Sequence, residues 1–125
     1  MGGIRRMRRR MTNPDLISTI RKLKRKSKSE GAALWEALAE DLDKAKRRRV
    51  AVNLSRLNRN TAEEEVVAVP GKVLGSGELD HPLTVAAFGF SETAKRKISL
   101  AKGSCMDLKE LMDSGIMPSK IRIMK

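Results

Sequence analysis

Residues 44–60 read KAKRRRVAVNLSRLNRN, and the groups there able to do chemistry are guanidinium ions. Arg47, Arg48 and Arg49 run directly into Val50, Val52 and Leu54, which alternate with Ala51, Asn53 and Ser55 as in a half-buried strand. Arg56 and Arg59 then resume the charge. A guanidinium group presents its N–H donors in a rigid fork that matches phosphate oxygens in pairs. Several of them held beside a core strand repel one another unless a polyanion neutralises them. The chemistry this segment suits is the binding of closely spaced phosphates, with no bond made or broken.

The distribution of charge agrees. Of the 125 residues, 27 are Lys or Arg and 15 are Asp or Glu, a formal net charge of +12. Residues 1–60 hold 18 basic side chains against 6 acidic ones, whereas residues 61–125 hold 9 against 9. The whole excess lies in the first half. A neutral half joined to a strongly basic one points to a polyanionic partner, most often a nucleic acid. There is no tyrosine, and Trp35, Phe88 and Phe90 all fall in apolar patterns that assign them to the core. Single-strand binders stack bases on exposed aromatics, so contact is expected instead with the backbone and shape of a folded nucleic acid. The residues expected to make it begin with Arg5, Arg6, Arg8, Arg9 and Arg10 in the opening arm, then Lys24, Arg25, Lys26 and Lys28 in the first helix. Lys46, Arg47, Arg48 and Arg49, then Asn53, Arg56, Asn58 and Arg59, and finally Lys72 complete the set.

Other chemistries find little support. Cys105 and His81 each stand alone, so a nucleophile and its base would have to meet by chance, and a Cys/His zinc site lacks ligands. Cys105 reads as a small core residue and His81, before Pro82, as an exposed loop residue. The stretch PGKVLGSGEL has its glycines and Lys72 in the wrong order for a phosphate loop and lacks the third glycine of a dinucleotide fingerprint. It reads as tight turns, with Gly75 or Gly77 expected at positive φ. Glu63, Glu64 and Glu65 read as a solvated turn, since hard metals need converging carboxylates rather than consecutive ones. No catalytic residue, metal, cofactor or small-molecule substrate is expected. A single cysteine excludes an internal disulfide and suits a cytosolic setting. No apolar run is long enough to span a bilayer, and MGGIRRMRRR lacks the apolar stretch of a signal peptide.

These side chains need elements to position them. Residues 1–11 read as a basic flexible arm, followed by a single domain over 12–125 with N-terminal helices in 14–45 and an α/β or α+β core in 50–125. Asn13 as N-cap and Pro14 at the first helical position open a helix to about Lys28, with Leu16, Ile17, Ile20 and Leu23 on its buried face. Leu34, Trp35, Leu38 and Leu42 form the stripe of a second helix. After the strand at Val50, LSRLNRN reads as a turn or short helix. A strand at Val66–Val69 is expected to break at Pro70-Gly71 and resume at Lys72–Leu74, and LTVAAFGF reads as a fully buried strand. Ser91 caps a helix to about Lys102, ended by Gly103. A short helix at DLKELMDSG and a last strand at IRIM close the chain. With balanced charge, the second half is expected to serve as scaffold, and Lys95, Lys97 and Lys109 to add little to polyanion binding.

The segments TNPDLISTIRKLKRKS, LWEALAEDL, RRRVAVNLSRLNR, VVAVPGKVLGSGEL, TVAAFGFSETAKRKI and IRIM occur in the order of a known family. Together they cover nearly all of residues 12–125. The chain resembles the archaeal large-subunit ribosomal proteins of the eighteen-e type, relatives of bacterial large-subunit protein fifteen. VNLSRLNR, VPGKVLGSGEL and FSETAKRKI in combination carry most of the specificity. The resemblance implies a structural, non-catalytic constituent of the large ribosomal subunit in the cytoplasm. Its implied partners are large-subunit ribosomal RNA and neighbouring ribosomal proteins, with no membrane. It also implies a mixed α/β fold, a compact core of short strands and helices in a layered, superhelix-like arrangement. Gly103-Ser104 departs from the family's usual Gly-Gly pair, and residues 1–10 have no counterpart in it. Charge alone equally permits a basic chromosomal or regulatory DNA-binding protein, although no helix-turn-helix spacing follows the basic first helix.

Overall fold

The computed structural model describes residues 14–45 and 50–125. Two helices come first, α1 (Pro14–Glu30) and α2 (Ala33–Ala45), then β1 (Ala51–Asn53) and α3 (Leu54–Asn60). The core continues with β2 (Val66–Leu74), β3 (Thr84–Phe90), α4 (Glu92–Leu100), β4 (Ser104–Asp107) and α5 (Leu108–Asp113), and ends with a 3-10 turn at Pro118–Lys120 and β5 (Ile121–Ile123). This is the mixed α/β architecture expected from the sequence. All strand pairs are parallel, in the order β1-β2-β3-β4, with β5 also beside β2.

A parallel sheet must be covered on both faces, and the core divides accordingly. On one face Val52, Val67, Val69, Val73 and Val85 pack with Leu54 and Leu57 of α3 and with Ala94 and Ile98 of α4. On the other, Ala68 and Ala86 pack with Ile20 and Leu23 of α1, Trp35, Leu38 and Leu42 of α2, and Leu108 and Leu111 of α5. Small residues on this second face let three helices approach closely. Leu54 and Leu57 are fully buried, which stabilises the short α3 by about 2 kcal/mol for each side chain.

β2 is one strand rather than two. It pairs with β3 as Val69↔Ala87 and then Lys72↔Gly89, so β2 has one residue more than its partner across this interval. Pro70 has no N–H to give, and the ladder is interrupted where it sits. Gly71 is needed for a different reason: a Cβ there would strike the Val50 carbonyl, which accepts from Lys72 N at 3.0 Å. The bulge divides the edge of β2, with β5 pairing Val66–Ala68 and β1 pairing Lys72–Leu74.

Several local expectations require correction. Ile17 is off the buried face of α1, where Thr19 sits instead and bonds the Asp15 carbonyl at 2.8 Å. β3 is fully buried only over Val85–Ala87, because β4 ends opposite Ala87 and leaves Phe88–Phe90 half-exposed. β4 itself is absent from the sequence reading, since SCMD has little strand character apart from its pairing with β3. α4 ends at Leu100, and Lys102 rather than a glycine takes the left-handed position, φ 67°. Lys102 N and Gly103 N bond Ser99 O and Ile98 O, both at 2.9 Å, which closes a Schellman turn. Gly103 is needed because a Cβ would strike the Leu83 carbonyl.

The largest correction concerns His81, which is buried. β2 and β3 are parallel yet joined by no helix, so residues 75–83 must return from one end of the sheet to the other. The crossing buries Leu79, His81 and Leu83. A polar loop that spans the sheet edge to end becomes part of the core. Glu65 also leaves the solvated turn: half-buried, it accepts from Ala62 N at 2.6 Å and from Arg122 at 3.3 Å.

Gly77 has φ +89°, as expected for one of the two loop glycines, and a Cβ there would also lie 2.5 Å from the Ser55 side chain. Gly115 has φ +80° with nothing near it. Gly115→Ala should therefore cost about 1 kcal/mol of stability and Gly77→Ala at least ~2 kcal/mol, measured by chemical denaturation. Equal losses would contradict the close approach of the loop to α3.

Candidate nucleic-acid interface

The basic residues of α1 fall into two groups with different surroundings. Lys22 Nζ pairs with Asp113 at 3.0 Å and so ties α1 to the end of α5. Lys26 Nζ lies 2.6 Å from Glu30 and 5.3 Å from the centre of the Trp35 ring. Trp35 Nε1 donates to the same carboxylate at 3.3 Å. The hydrogen bond from Lys26, followed by that from Trp35, holds the Glu30 carboxyl below its ordinary range despite some desolvation. Lys26 therefore closes the junction of α1 and α2, and its charge is matched within the fold.

Arg21, Lys24, Arg25 and Lys28 behave otherwise. All four are exposed, and none has an ion-pair partner among the described residues. Their spacing puts them on one side of the helix. Four unmatched like charges along two turns destabilise an isolated helix, and the buried Ile20 and Leu23 on the opposite side hold it in place. Charge alone does not single out Arg21. Its signal is the register: once Ile20 and Leu23 face inward, position 21 must face outward beside Arg25. Half-buried Ile17 lies in the same open cleft, with Pro14, Ser18, Arg21 and Arg25.

A further surface lies across the sheet, at the end of β1 and on α3. Asn53, Arg56 and Arg59 are exposed at successive three-residue intervals. Asn58 is half-buried and held by Asp80, whose N–H donates to Asn58 Oδ1 at 3.0 Å. Asn60 Nδ2 donates to the Arg56 carbonyl at 2.7 Å, and Arg122 Nη1 donates to Asn60 O at 2.8 Å. Thr61 Oγ1 donates its proton to Leu57 O at 2.7 Å and lies 2.8 Å from His81 Nε2. His81 Nδ1 faces Asp80 Oδ1 at 2.9 Å. The C-terminal end of α3 is thus locked to the crossing loop by Asn58, Thr61, Asp80 and His81.

Lys72 is exposed on β2, paired in register with Ala51. Val52 and Val73 face the α3 side, so by strand alternation Lys72 and Ala51 face the α1 side. The remaining expected contacts, Arg5, Arg6, Arg8, Arg9, Arg10, Lys46, Arg47, Arg48 and Arg49, lie outside the described residues, as does the Asn13 cap. The structure therefore places the exposed residues of α1 and those of Asn53–Arg59 on two surfaces, with the sheet between them. Among the described residues no group of three or more His, Cys, Asp or Glu converges to hold a metal ion. No described helix is long and apolar enough to cross a membrane. Cys105 is half-buried, and burial pushes its thiol above the ordinary range, away from a reactive thiolate.

Comparison with known proteins adds an independent observation. A family model for the ribosomal proteins fifteen and eighteen-e of the 50S subunit and twenty-seven-A of the 60S subunit matches residues 32–106. A protein of Methanothermobacter thermautotrophicus named large ribosomal subunit protein eL18 is 47% identical over 114 residues, 91% of this chain and 94% of its own length. The protein of the same name from Methanococcus maripaludis is 43% identical over 113 residues, 90% of this chain and 94% of its own.

The Asp80 lock makes a prediction about acid stability. The hydrogen bond from His81, then that from Asn58, lowers the Asp80 carboxyl below its ordinary value of 3.8. A carboxyl depressed by folding stabilises the protein above its unfolded value, and that contribution is lost as pH falls through the folded one. Asp80→Asn should therefore remove part of the stability loss seen in the wild type as pH is lowered from 3.8. Superimposable stability profiles below that pH would contradict the lock.

Proposed function

The chain belongs to the ribosomal protein family that unites proteins fifteen and eighteen-e of the 50S subunit with twenty-seven-A of the 60S subunit, and we propose that its two basic surfaces hold separate segments of folded ribosomal RNA. It is a structural, non-enzymatic constituent of the large ribosomal subunit, acting in the cytoplasmic ribosome. Its partners are ribosomal RNA and other ribosomal proteins. Family membership favours RNA over the DNA-binding reading that charge alone permits.

The observation that carries the interface is the row of Arg21, Lys24, Arg25 and Lys28, exposed and unmatched by acids among the described residues. Lys22 and Lys26 on the same helix are matched. A row kept unmatched beside matched neighbours is suited to phosphates supplied from outside. Asn53, Arg56 and Arg59 form the second surface, and Lys72 adds a charge beside β1. Lys46, Arg47, Arg48 and Arg49 enter β1 directly in the sequence and extend the same interface. Arg5, Arg6, Arg8, Arg9 and Arg10 supply further contacts ahead of the domain over 12–125. Lys26 and Asn58 support the surface from within, through Glu30 and Asp80.

Each phosphate contact releases counterions, so log K falls against log salt by about 0.7 to 0.9 per contact. Changing Arg21, Lys24, Arg25 and Lys28 to Gln should flatten that slope by roughly three units, and Arg56→Gln with Arg59→Gln by roughly one and a half. The two effects should add, since the sheet separates the surfaces. Binding of deproteinised large-subunit ribosomal RNA across a salt series measures both. An unchanged slope in either variant would remove that surface from the interface.

A further inference from the structure

Lys97 belongs to the electrically neutral half of the chain, where basic side chains are expected to matter little for RNA. Its surroundings differ from those of Lys95, which is exposed. The Lys97 side chain is 25% exposed, and its ammonium donates to Gly75 O at 3.0 Å and Gly77 O at 2.7 Å. Glu78 Oε2 lies 3.5 Å away. One cation thus gathers the loop 75–78 from α4. The loop sits between two helices so closely that a Cβ on Gly75 would strike Thr93 and one on Gly77 would strike Ser55.

Between the two bound carbonyls, that of Ser76 accepts from Ser55 N at 3.1 Å. Ser55 is in the first turn of α3, where N–H groups have no partner within the helix. Such a donor is ordinarily satisfied by the side chain of the N-cap residue, and asparagine is among the best at it. Asn53 occupies the N-cap with extended backbone, φ −84° and ψ 155°, yet makes no side-chain cap bond. Its side chain is exposed instead. The loop carbonyl takes the place of the cap side chain.

We infer that Lys97 is a positioning residue for RNA: by holding loop 75–78 as a substitute cap for α3, it frees the Asn53 carboxamide to contact RNA beside Arg56. A carboxamide offers both donors and an acceptor, so it fits a phosphate oxygen or a ribose 2′-hydroxyl. This rests on the assignment of α3 to the RNA interface. With the loop as cap, the best capping side chain in the segment faces solvent, and a neutral-half lysine is folded inward to hold that loop.

The test is a cycle of Asn53→Ala and Lys97→Met, read by affinity for deproteinised large-subunit ribosomal RNA and by melting temperature without RNA. In the wild-type background Asn53→Ala should weaken binding about tenfold, the loss of roughly one hydrogen bond, and leave the melting temperature unchanged. Lys97→Met should weaken binding to a similar extent, because Asn53 returns to cap α3. In the Lys97→Met background Asn53→Ala should then leave affinity alone and lower the melting temperature by a few degrees. Lys97→Arg should restore both readouts. Affinity losses that multiply, or a lowered melting temperature for Asn53→Ala in the wild-type background, would overturn the inference. If Lys97→Met does not fold, Lys97→Gln replaces it in the cycle, and Asn53→Ala in the wild-type background still decides against the inference on its own. An unchanged salt slope in the Arg56→Gln, Arg59→Gln variant would instead remove α3 from the interface, a separate failure.

Discussion

Everything in this protein depends on β2 being buried on both faces. Its residues Val67, Ala68, Val69 and Pro70 are excluded from water, and it pairs with β1, β3 and β5 in parallel. Parallel pairing demands crossovers: α3, α4 and α5 lie in three of them, the β2–β3 crossover has no helix, and the N-terminal α1 and α2 complete the cover. With α3 and α4 on one face and α1, α2 and α5 on the other, every buried side of every helix is already occupied. The excess positive charge has only the outer surfaces left. Arg21–Lys28 and Arg56–Arg59 therefore lie on opposite sides of the sheet.

Much of this was legible in the sequence, because the helices announce themselves. Leu34, Trp35, Leu38 and Leu42 recur at helical spacing, and Ser91 caps α4 by accepting from Ala94 N at 3.1 Å. Asp107 and Glu110 form a complete capping box, with bonds of 2.7 and 3.0 Å, at the start of α5. What escaped reading was imposed by strand partners distant in sequence. β4 is a strand because β3 lies beside it, Phe88 and Phe90 are half-exposed because β4 stops short, and β2 survives Pro70 because a bulge absorbs the missing donor. His81 is buried because its loop serves as a crossover, a role no local pattern reveals.

The same division holds for the interface. The run of basic residues in α1 is evident from composition, but composition does not distinguish Lys22 and Lys26, which pair with Asp113 and Glu30, from Arg21, which has no such partner among the described residues. Only the contacts of the neighbouring elements separate structural charge from charge offered outward. The neutral C-terminal half is likewise more than inert support. Through Lys97 at one end of α3, and Asp80 and His81 at the other, it fixes the direction in which Asn53, Arg56 and Arg59 point.

The central claim is that RNA is met on two faces separated by the sheet. Ultraviolet crosslinking of intact large subunits, followed by identification of the RNA-bound peptides, tests it most directly. The account predicts crosslinks on peptides spanning Arg21–Lys28 and on those spanning Asn53–Arg59. Crosslinks confined to one of these, or concentrated between Lys95 and Lys125, would contradict it.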